Sequence, residues 1–228
     1  MKLSPMKLSS MKLYSLPHSP YATRVRMQAR LDNLPVEVLP PPVPLRTEAF
    51  YERFPLGKLP VLELESGEAI AESWAIMEFL AESPVSGGSA LLPESPLERA
   101  QMRMLARYAD LHLAVNALFP LFRAVMSGGD VDRDEMAKGL HAELAKGERL
   151  MADFGSERAL NLGDLALAPT MRYLEELSPL VGVDAPLAAF PALSAWWQKV
   201  NAVDAISETL QEMALAYRKF AEGLAAKA

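Results

Sequence analysis

The order of secondary-structure elements is decided by residues 57–76, which read GKLPVLELESGEAIAESWAI. Hydrophobic and acidic residues alternate over 61–65, Ser66-Gly67 supplies a turn, and a second short strand follows at 68–71. Alternation on both sides of a Gly-containing turn predicts a β-hairpin. Ser73 is then predicted to cap a helix over 73–82. The stretch therefore predicts a ββα unit.

The residues before this unit predict a βαβ arrangement. Ser19-Pro20 opens a helix, because Ser is a good N-cap and Pro suits the first helical position. The proline-rich residues 40–44 can join neither a ladder nor a helix interior, so they form a loop. The other predicted elements are strands at 12–16 and 35–39 and a short helix at 47–53. Together these elements make a small mixed sheet with helices on its faces.

The residues after the unit change in character. Residues 84–94, which include Gly87-Gly88, form the clearest linker. Beyond it lies no strand pattern, and the second half is predicted to be all-α. Helices are expected from a capping box at Ser95 to about residue 125, over 133–154, after Asn161, from Phe190-Pro191, and over 207–226. The predicted domains are 11–83 and 95–228. Residues 1–10, which repeat a five-residue unit, are expected to form a disordered extension.

Composition excludes several function classes. The net charge of −6 and the absence of a basic face argue against a nucleic-acid partner. Cysteine is absent, so a disulfide, a thiolate zinc site and a Cys nucleophile are ruled out. Three scattered His residues predict no metal site. The sequence contains no window of 18 uninterrupted apolar residues, so no membrane span is predicted. A cytoplasmic location fits this composition.

Five ordered motifs resemble the cytosolic glutathione transferases of the serine type. They are residues 19–26 (SPYATRVR), 57–62 (GKLPVL), 72–76 (ESWAI), 162–169 (LGDLALAP) and 190–196 (FPALSAW). The resemblance covers residues 11 to about 220. Two positions depart from the family pattern: Phe54 stands where the family commonly has Asn, and Asn161 stands where it usually has Ser or Thr. The motifs do not distinguish tau-like from zeta-like or unclassified bacterial members.

The resemblance implies a fold and an activity. It implies a thioredoxin-like N-terminal α/β domain, a helical C-terminal domain, a homodimer, and glutathione as co-substrate. The reaction that it implies is the attack of the glutathione thiolate on small apolar electrophiles. Two alternatives stay open: glutathione-dependent isomerisation of a maleyl-type diacid, and a non-catalytic interaction protein on the same fold.

Ser19 is the candidate catalytic residue. A free thiol has a pKa of about 8.5, so little thiolate exists at neutral pH. A hydroxyl that donates a hydrogen bond to sulfur favours the anion, and a helix N-terminus adds to the effect. By itself Ser19 reads as a helix cap; the other motifs are what indicate a thiolate partner. Tyr14 and Ser15 are alternative hydroxyls.

Further residues are expected to hold glutathione. The resemblance implies a cis bond before Pro60, with the Leu59 backbone pairing with the cysteinyl part. Glu72 and Ser73 match the charges of the γ-glutamyl end. Arg46 and Lys58 are candidates for the glycyl carboxylate.

The electrophile is expected between the domains. Its candidate contacts are Tyr21, Tyr108, Leu111, His112 and Phe119. An apolar stripe on a long helix more often packs in the core than lines a pocket. Tyr108, Leu111, His112 and Phe119 are therefore interpreted either as pocket residues or as core residues. Asn161 and Asp164 are interpreted as a helix cap rather than as catalytic acids.

Overall fold

The computed structural model describes residues 11–83, 88–127, 132–155 and 157–225. The predicted disordered extension at 1–10 lies outside these residues, as do positions 84–87 of the predicted linker and the predicted helix break at 128–130. The chain divides into two compact units. One holds the residues up to Leu92 together with those from Gln211 onward, and the other holds Pro93–Leu210. The predicted boundaries at 83 and 95 stay predictions.

The first unit contains a four-stranded sheet in the order β2-β1-β3-β4. Its strands are β1 (Met11–Tyr14), β2 (Val36–Leu39), β3 (Val61–Glu63) and β4 (Ala69–Ala71). β1 pairs with β2 in parallel and with β3 antiparallel, and β3 pairs with β4 as the predicted hairpin. The mixed sheet follows from the βαβ connection on one side and the tight turn on the other.

Three helices belong to the part of this unit that precedes Leu92. They are α1 (Pro20–Leu31), α2 (Glu48–Arg53) and α3 (Ser73–Glu82). α1 and α3 pack against each other, and the Gln28 side chain donates to the carbonyl of Met77 at 3.0 Å. The predicted capping role of Ser73 is wrong. The N-cap of α3 is Glu72, which has a φ of 70° and makes no side-chain capping bond, and Ser73 is the first helical residue.

The second unit is helical in every element described. Its helices are α4 (Pro96–Arg107), a π-helical segment (Tyr108–Leu118), α5 (Phe119–Ser127), α6 (Arg133–Phe154), α7 (Leu162–Leu177), a 3₁₀ turn (Ser178–Val181) and α8 (Pro191–Asn201). α9 (Asp204–Ala225) contributes its residues up to Leu210 here and the rest to the first unit. None of the helices in the described residues is long and apolar enough to span a membrane.

Side-chain hydrogen bonds to backbone N–H groups mark the starts of α7 and α8. At α7 the Asn161 side chain accepts from Gly163 N at 3.0 Å, and the Asp164 side chain accepts from Asn161 N at 2.8 Å. The predicted cap at Asn161 is therefore confirmed. The predicted capping box at Ser95 is wrong, because its side chain makes no capping bond. α8 is capped from a distance: the two carboxylate oxygens of Glu148 accept from Ala192 N and Leu193 N, each at 2.9 Å.

Candidate functional site

The strand register brings the predicted glutathione-binding segments to one end of the sheet. Tyr14, the last residue of β1, pairs with Val61, the first residue of β3. Val61 in turn pairs with Ala71, the last residue of β4. The loop to α1, the Leu59-Pro60 segment and the start of α3 therefore leave the sheet at the same end. β2 also ends there, since Leu39 pairs with Tyr14.

Ser19 caps α1 in the way that the sequence predicts. Its Oγ accepts from Ala22 N at 3.3 Å, and its carbonyl accepts from the Thr23 hydroxyl at 2.8 Å. The residue is partly buried. Because the cap uses a lone pair of the oxygen, the Ser19 hydroxyl proton is available for a second hydrogen bond. The N-terminal end of a 12-residue helix also favours a nearby anion.

The bond between Leu59 and Pro60 is cis, as the resemblance implies. Leu59 is partly buried and Pro60 is buried. Glu72 is exposed and Ser73 is 5% exposed. The positive φ of Glu72 is rare for a residue with a side chain, and such a conformation costs of order 1–3 kcal/mol. The surrounding fold must therefore hold Glu72 in place.

The two candidate cations are exposed. Arg46 has a φ of 63° and follows the proline-rich loop that leaves the same end of the sheet. Lys58 directly precedes Leu59.

The alternative hydroxyls have different surroundings. The Tyr14 hydroxyl donates to Glu63 at 3.3 Å and lies 3.3 Å from Arg53 Nη2, which donates to it. Arg53 also donates to the other Glu63 oxygen at 2.7 Å, and this bond lowers the pKa of Glu63 below its ordinary value. Ser15 is buried, and its backbone N–H donates to the carbonyl of Leu39. The Tyr14 hydroxyl is thus engaged within the sheet.

Comparison with known proteins decides the family. Residues 18–83 match the model of the glutathione S-transferase N-terminal domain, and residues 113–204 match that of the C-terminal domain. The chain is 30% identical over 213 residues to the probable glutathione S-transferase BZ2 of Zea mays, covering 85% of this chain and 87% of that protein. It is 27% identical to glutathione S-transferase U2 of Arabidopsis thaliana, and the match covers 90% of this chain and 89% of that protein.

The chain belongs to the glutathione S-transferase family. A glutathione S-transferase from Rhodospirillum rubrum superposes with a TM-score of 0.69 at 25% identity, over 87% of this chain and 91% of that one. A tau-class transferase from Mangifera indica superposes with a TM-score of 0.73 at 23% identity, over 95% of this chain and 99% of that one. This similarity shows a shared fold. The predicted family, fold class and enzyme class are confirmed.

In this glutathione S-transferase the predicted electrophile residues have unequal surroundings. Tyr108 is buried, and its hydroxyl donates to the Glu143 carbonyl at 2.8 Å; burial raises its pKa well above the ordinary value. Leu111 and His112 are exposed, and Phe119 is partly buried. Tyr21, in the first unit, is partly buried and lies beneath the Arg24 guanidinium at 5.0 Å.

The sequence does not predict that the C-terminal part of α9 contacts α1 and the residue before Ser19. Phe220 stacks on His18, the residue before Ser19, with ring centroids 4.4 Å apart. Burial lowers the pKa of His18. Arg30 and Arg26 pair with Glu212 at 2.8 Å and 3.7 Å. No local pattern links these positions, because the contacts join the two ends of the chain.

Within the part of the chain that the structure describes, no three His, Asp or Glu side chains are grouped as a metal site requires.

Proposed function

We propose that this glutathione S-transferase conjugates glutathione to small apolar electrophiles, a detoxification reaction, with the Ser19 hydroxyl stabilising the thiolate. The observation that carries the proposal is that the segments with Ser19, Leu59-Pro60 and Glu72-Ser73 leave the sheet at the same end. Each segment alone has an ordinary structural explanation, but an interaction protein on the same fold need not keep a hydroxyl at position 19 together with Glu72 and Ser73, and this chain has all three.

Ser19 suits this role because it can accept and donate at once. It accepts from Ala22 N, so its proton is left for the sulfur. Lowering the thiol pKa by about 2 units requires about 2.7 kcal/mol. One charge-assisted hydrogen bond and a helix N-terminus together supply an energy of that order. Tyr14 is the weaker candidate, since its hydroxyl already bonds to Glu63 and Arg53.

The remaining parts of glutathione are assigned by charge. The backbone of Leu59 pairs with the cysteinyl part. Glu72 binds the α-ammonium, and Ser73, at the start of α3, binds the α-carboxylate. The exposed cations Arg46 and Lys58 attract the glycyl carboxylate, which a protein of net charge −6 otherwise repels.

The electrophile contacts are assigned to side chains that keep accessible surface. Tyr21, His112 and Phe119 meet this condition. Tyr108 is buried with its hydroxyl engaged, which favours a core role. Leu111 stays a candidate for the pocket, although its 55% exposure also suits a surface between subunits.

Burial of two arginines weighs against the isomerase alternative. A diacid substrate needs cations at the site, and Arg24 and Arg26 are the arginines nearest to Ser19 along the chain. Arg24 is 0% exposed and Arg26 is 9% exposed. Arg26 also donates to the Pro17 carbonyl and the Thr23 hydroxyl. Neither side chain offers its charge to a substrate.

We also propose a cytoplasmic homodimer. Leu97, Met104, Leu111 and Val115 are exposed by 46–68%. They follow one another along α4 and the π-helical segment at spacings of seven, seven and four residues. An exposed apolar stripe of this kind marks an interaction surface, and a second copy of the chain is the partner that the family suggests. The cysteine-free composition fits the cytoplasm, which is reducing.

The experiment compares wild type with Ser19→Ala. Glutathione binding is measured by calorimetry, the pKa of the bound thiol by ultraviolet absorbance of the thiolate, and conjugation with a chlorodinitrobenzene-type electrophile. We expect Ser19→Ala to keep glutathione binding, to raise the pKa of the bound thiol by about 1 unit, because the helix N-terminus remains, and to lower kcat/KM about 10-fold.

Ser95→Ala is the matched control, because Ser95 is also a helix N-cap but lies outside this site and makes no side-chain capping bond. If wild type binds no glutathione at millimolar concentration, the enzyme proposal is wrong and the interaction-protein alternative gains. If Ser19→Ala conjugates at the wild-type rate, the thiolate partner is another hydroxyl.

A further inference from the structure

Hydrogen bonds hold the backbone on both sides of Ser19. The Ser19 N–H donates to the Leu16 carbonyl at 3.0 Å. The Ser19 carbonyl accepts from the backbone N–H of Thr23 at 3.0 Å and from the Thr23 hydroxyl at 2.8 Å. Two residues before Ser19, the Pro17 carbonyl accepts from Arg26 Nη2 at 2.9 Å. Side chains of α1 therefore fix the turn that presents the Ser19 hydroxyl.

Arg26 joins the two sides of this turn. The Nη2 atom that donates to Pro17 also donates to the Thr23 hydroxyl at 2.8 Å. An Nη2 atom carries two N–H groups, which lie in the rigid plane of the guanidinium. One nitrogen thus links the carbonyl that lies before Ser19 to the hydroxyl that bonds to the Ser19 carbonyl.

The burial of Arg26 is explained by this link and not by packing. Thr23 is 0% exposed and Arg26 is 9% exposed. An aliphatic residue would fill the same space without the desolvation of a guanidinium. A Thr hydroxyl that bonds to the carbonyl four residues earlier is ordinary in a helix. The link from that hydroxyl to Pro17 requires a side chain that donates to two oxygens, which an aliphatic residue cannot do.

The charge of Arg26 is balanced by a carboxylate of α9. Arg26 Nη1 lies 3.7 Å from Glu212 Oε2. Arg30 donates to both oxygens of the same carboxylate, at 2.8 Å and 2.9 Å. The Nη1 side of Arg26 therefore faces a counter-charge, and its Nη2 side bonds to the turn. Arg26 acts on the turn through hydrogen bonds rather than through its net charge.

We propose that Arg26 and Thr23 are positioning residues for the Ser19 hydroxyl. They hold the backbone of the turn, so that the Ser19 Oγ, which accepts from Ala22 N at 3.3 Å, keeps its proton directed at the glutathione sulfur. This inference rests on the proposed role of Ser19. A hydrogen bond weakens steeply when its angle departs from linear, so a looser turn should raise the pKa of the bound thiol.

The test measures the pKa of the bound glutathione thiol by ultraviolet absorbance in wild type, Thr23→Val and Arg26→Lys. Val keeps the shape of Thr without the hydroxyl, and Lys keeps the charge of Arg without its planar fork. Each substitution is also made in the Ser19→Ala background. Thr209→Val is the matched control, because Thr209 is 0% exposed and its hydroxyl likewise donates to the carbonyl four residues earlier, that of Ala205, at 2.6 Å.

We expect Thr23→Val and Arg26→Lys each to raise the pKa of the bound thiol by about 0.5 unit. They should lower kcat/KM about threefold, since the thiolate fraction falls by that factor. The glutathione Kd from calorimetry should change less than about twofold, because the other binding segments are unaltered. In the Ser19→Ala background the same substitutions should shift the thiol pKa by less than about 0.2 unit, because no hydroxyl is left to direct.

The outcomes distinguish this inference from the proposed function. If Ser19→Ala leaves the thiol pKa unchanged, both are wrong. If Ser19→Ala raises it while Thr23→Val and Arg26→Lys do not, the role of Ser19 stands and the positioning role is refuted. The positioning role is also refuted if the shifts persist in the Ser19→Ala background. The same holds if Thr209→Val, which should lose only stability in urea unfolding, raises the thiol pKa equally.

Discussion

Asp164 illustrates how much a single buried carboxylate holds together. Its side chain is fully buried and accepts four hydrogen bonds, from two Arg158 nitrogens, Asn161 N and Trp196 Nε1. Four donors match the lone-pair capacity of a carboxylate. The residue therefore joins the cap of α7 to α8 and to the loop before α7, which is more than the local capping role that the sequence indicates.

We predict that Asp164→Asn lowers the free energy of unfolding by about 3 kcal/mol. The variant leaves Arg158 without its counter-charge and turns an NH₂ group toward a donor. The estimate takes the low end of the range for buried pairs because the Arg158 side chain is 19% exposed. Urea unfolding measures the change. Asp153→Asn, an exposed carboxylate on α6, should change stability by less than about 0.5 kcal/mol. A loss below about 1 kcal/mol in Asp164→Asn would contradict this account.

Helix packing depends on a close approach between α4 and α7. A Cβ atom added at Gly163 would lie 2.5 Å from the backbone oxygen of Met102 and 3.1 Å from Leu105 Cβ. The first neighbour is backbone inside a helix, so it cannot move aside as a flexible side chain would. Gly163 is required here for the space that it leaves, and its intrinsic helix propensity is poor.

Gly163→Ala and Gly139→Ala are therefore predicted to have opposite signs. Gly163→Ala should destabilise by about 1–3 kcal/mol, since overpacking outweighs the gain in propensity. At Gly139, in α6, the nearest atom to an added Cβ is Asn116 O at 3.9 Å, an ordinary contact. Gly139→Ala should stabilise by about 0.5–1 kcal/mol. Thermal unfolding of the two variants under one set of conditions distinguishes them. A stabilising Gly163→Ala would show that the two helices can move apart at low cost.

The elements differ in how far the sequence predicts them. The βαβ–ββα order and the helix over 133–154 could be predicted, because period-two alternation, period-3.6 stripes and Pro or Asn caps are local signals. The π-helical segment at Tyr108–Leu118 could not, since it lies inside an uninterrupted helical pattern. The cap of α8 by Glu148 could not either, because its partners are far apart in sequence.

The same division applies to the candidate site. Ser19 and the Leu59-Pro60 segment are predicted as site residues from ordered motifs that resemble those of the family, since the Ser19-Pro20 dipeptide alone predicts only a helix cap. The positive φ of Glu72 follows from how β4 connects to α3, and the Phe220 ring on His18 from packing between chain ends. Tertiary contacts of this kind leave no periodic mark on the sequence.

At the scale of the whole molecule, the apolar stripe on α4 and the π-helical segment is a feature that the single chain leaves exposed. Leu97, Met104, Leu111 and Val115 extend along about 25 Å of helix, and their exposures reach 68% at Leu97. Water exclusion from such a stripe favours association at about 25 cal/mol per Å² of apolar area. A two-fold axis would set the same stripe of each copy against the other.

We therefore predict that the wild-type chain has twice its 25.0 kDa mass in solution, measured by size-exclusion chromatography with light scattering. The double substitution Met104→Glu and Val115→Glu should reduce the mass to that of one chain at micromolar concentration, because two like-charged carboxylates would face their counterparts across the axis. Leu180→Glu, at a residue that is 50% exposed on the 3₁₀ turn, is the control and should stay dimeric. A monomeric wild type would overturn the prediction. A dimer that persists in the double variant would show that another surface joins the subunits.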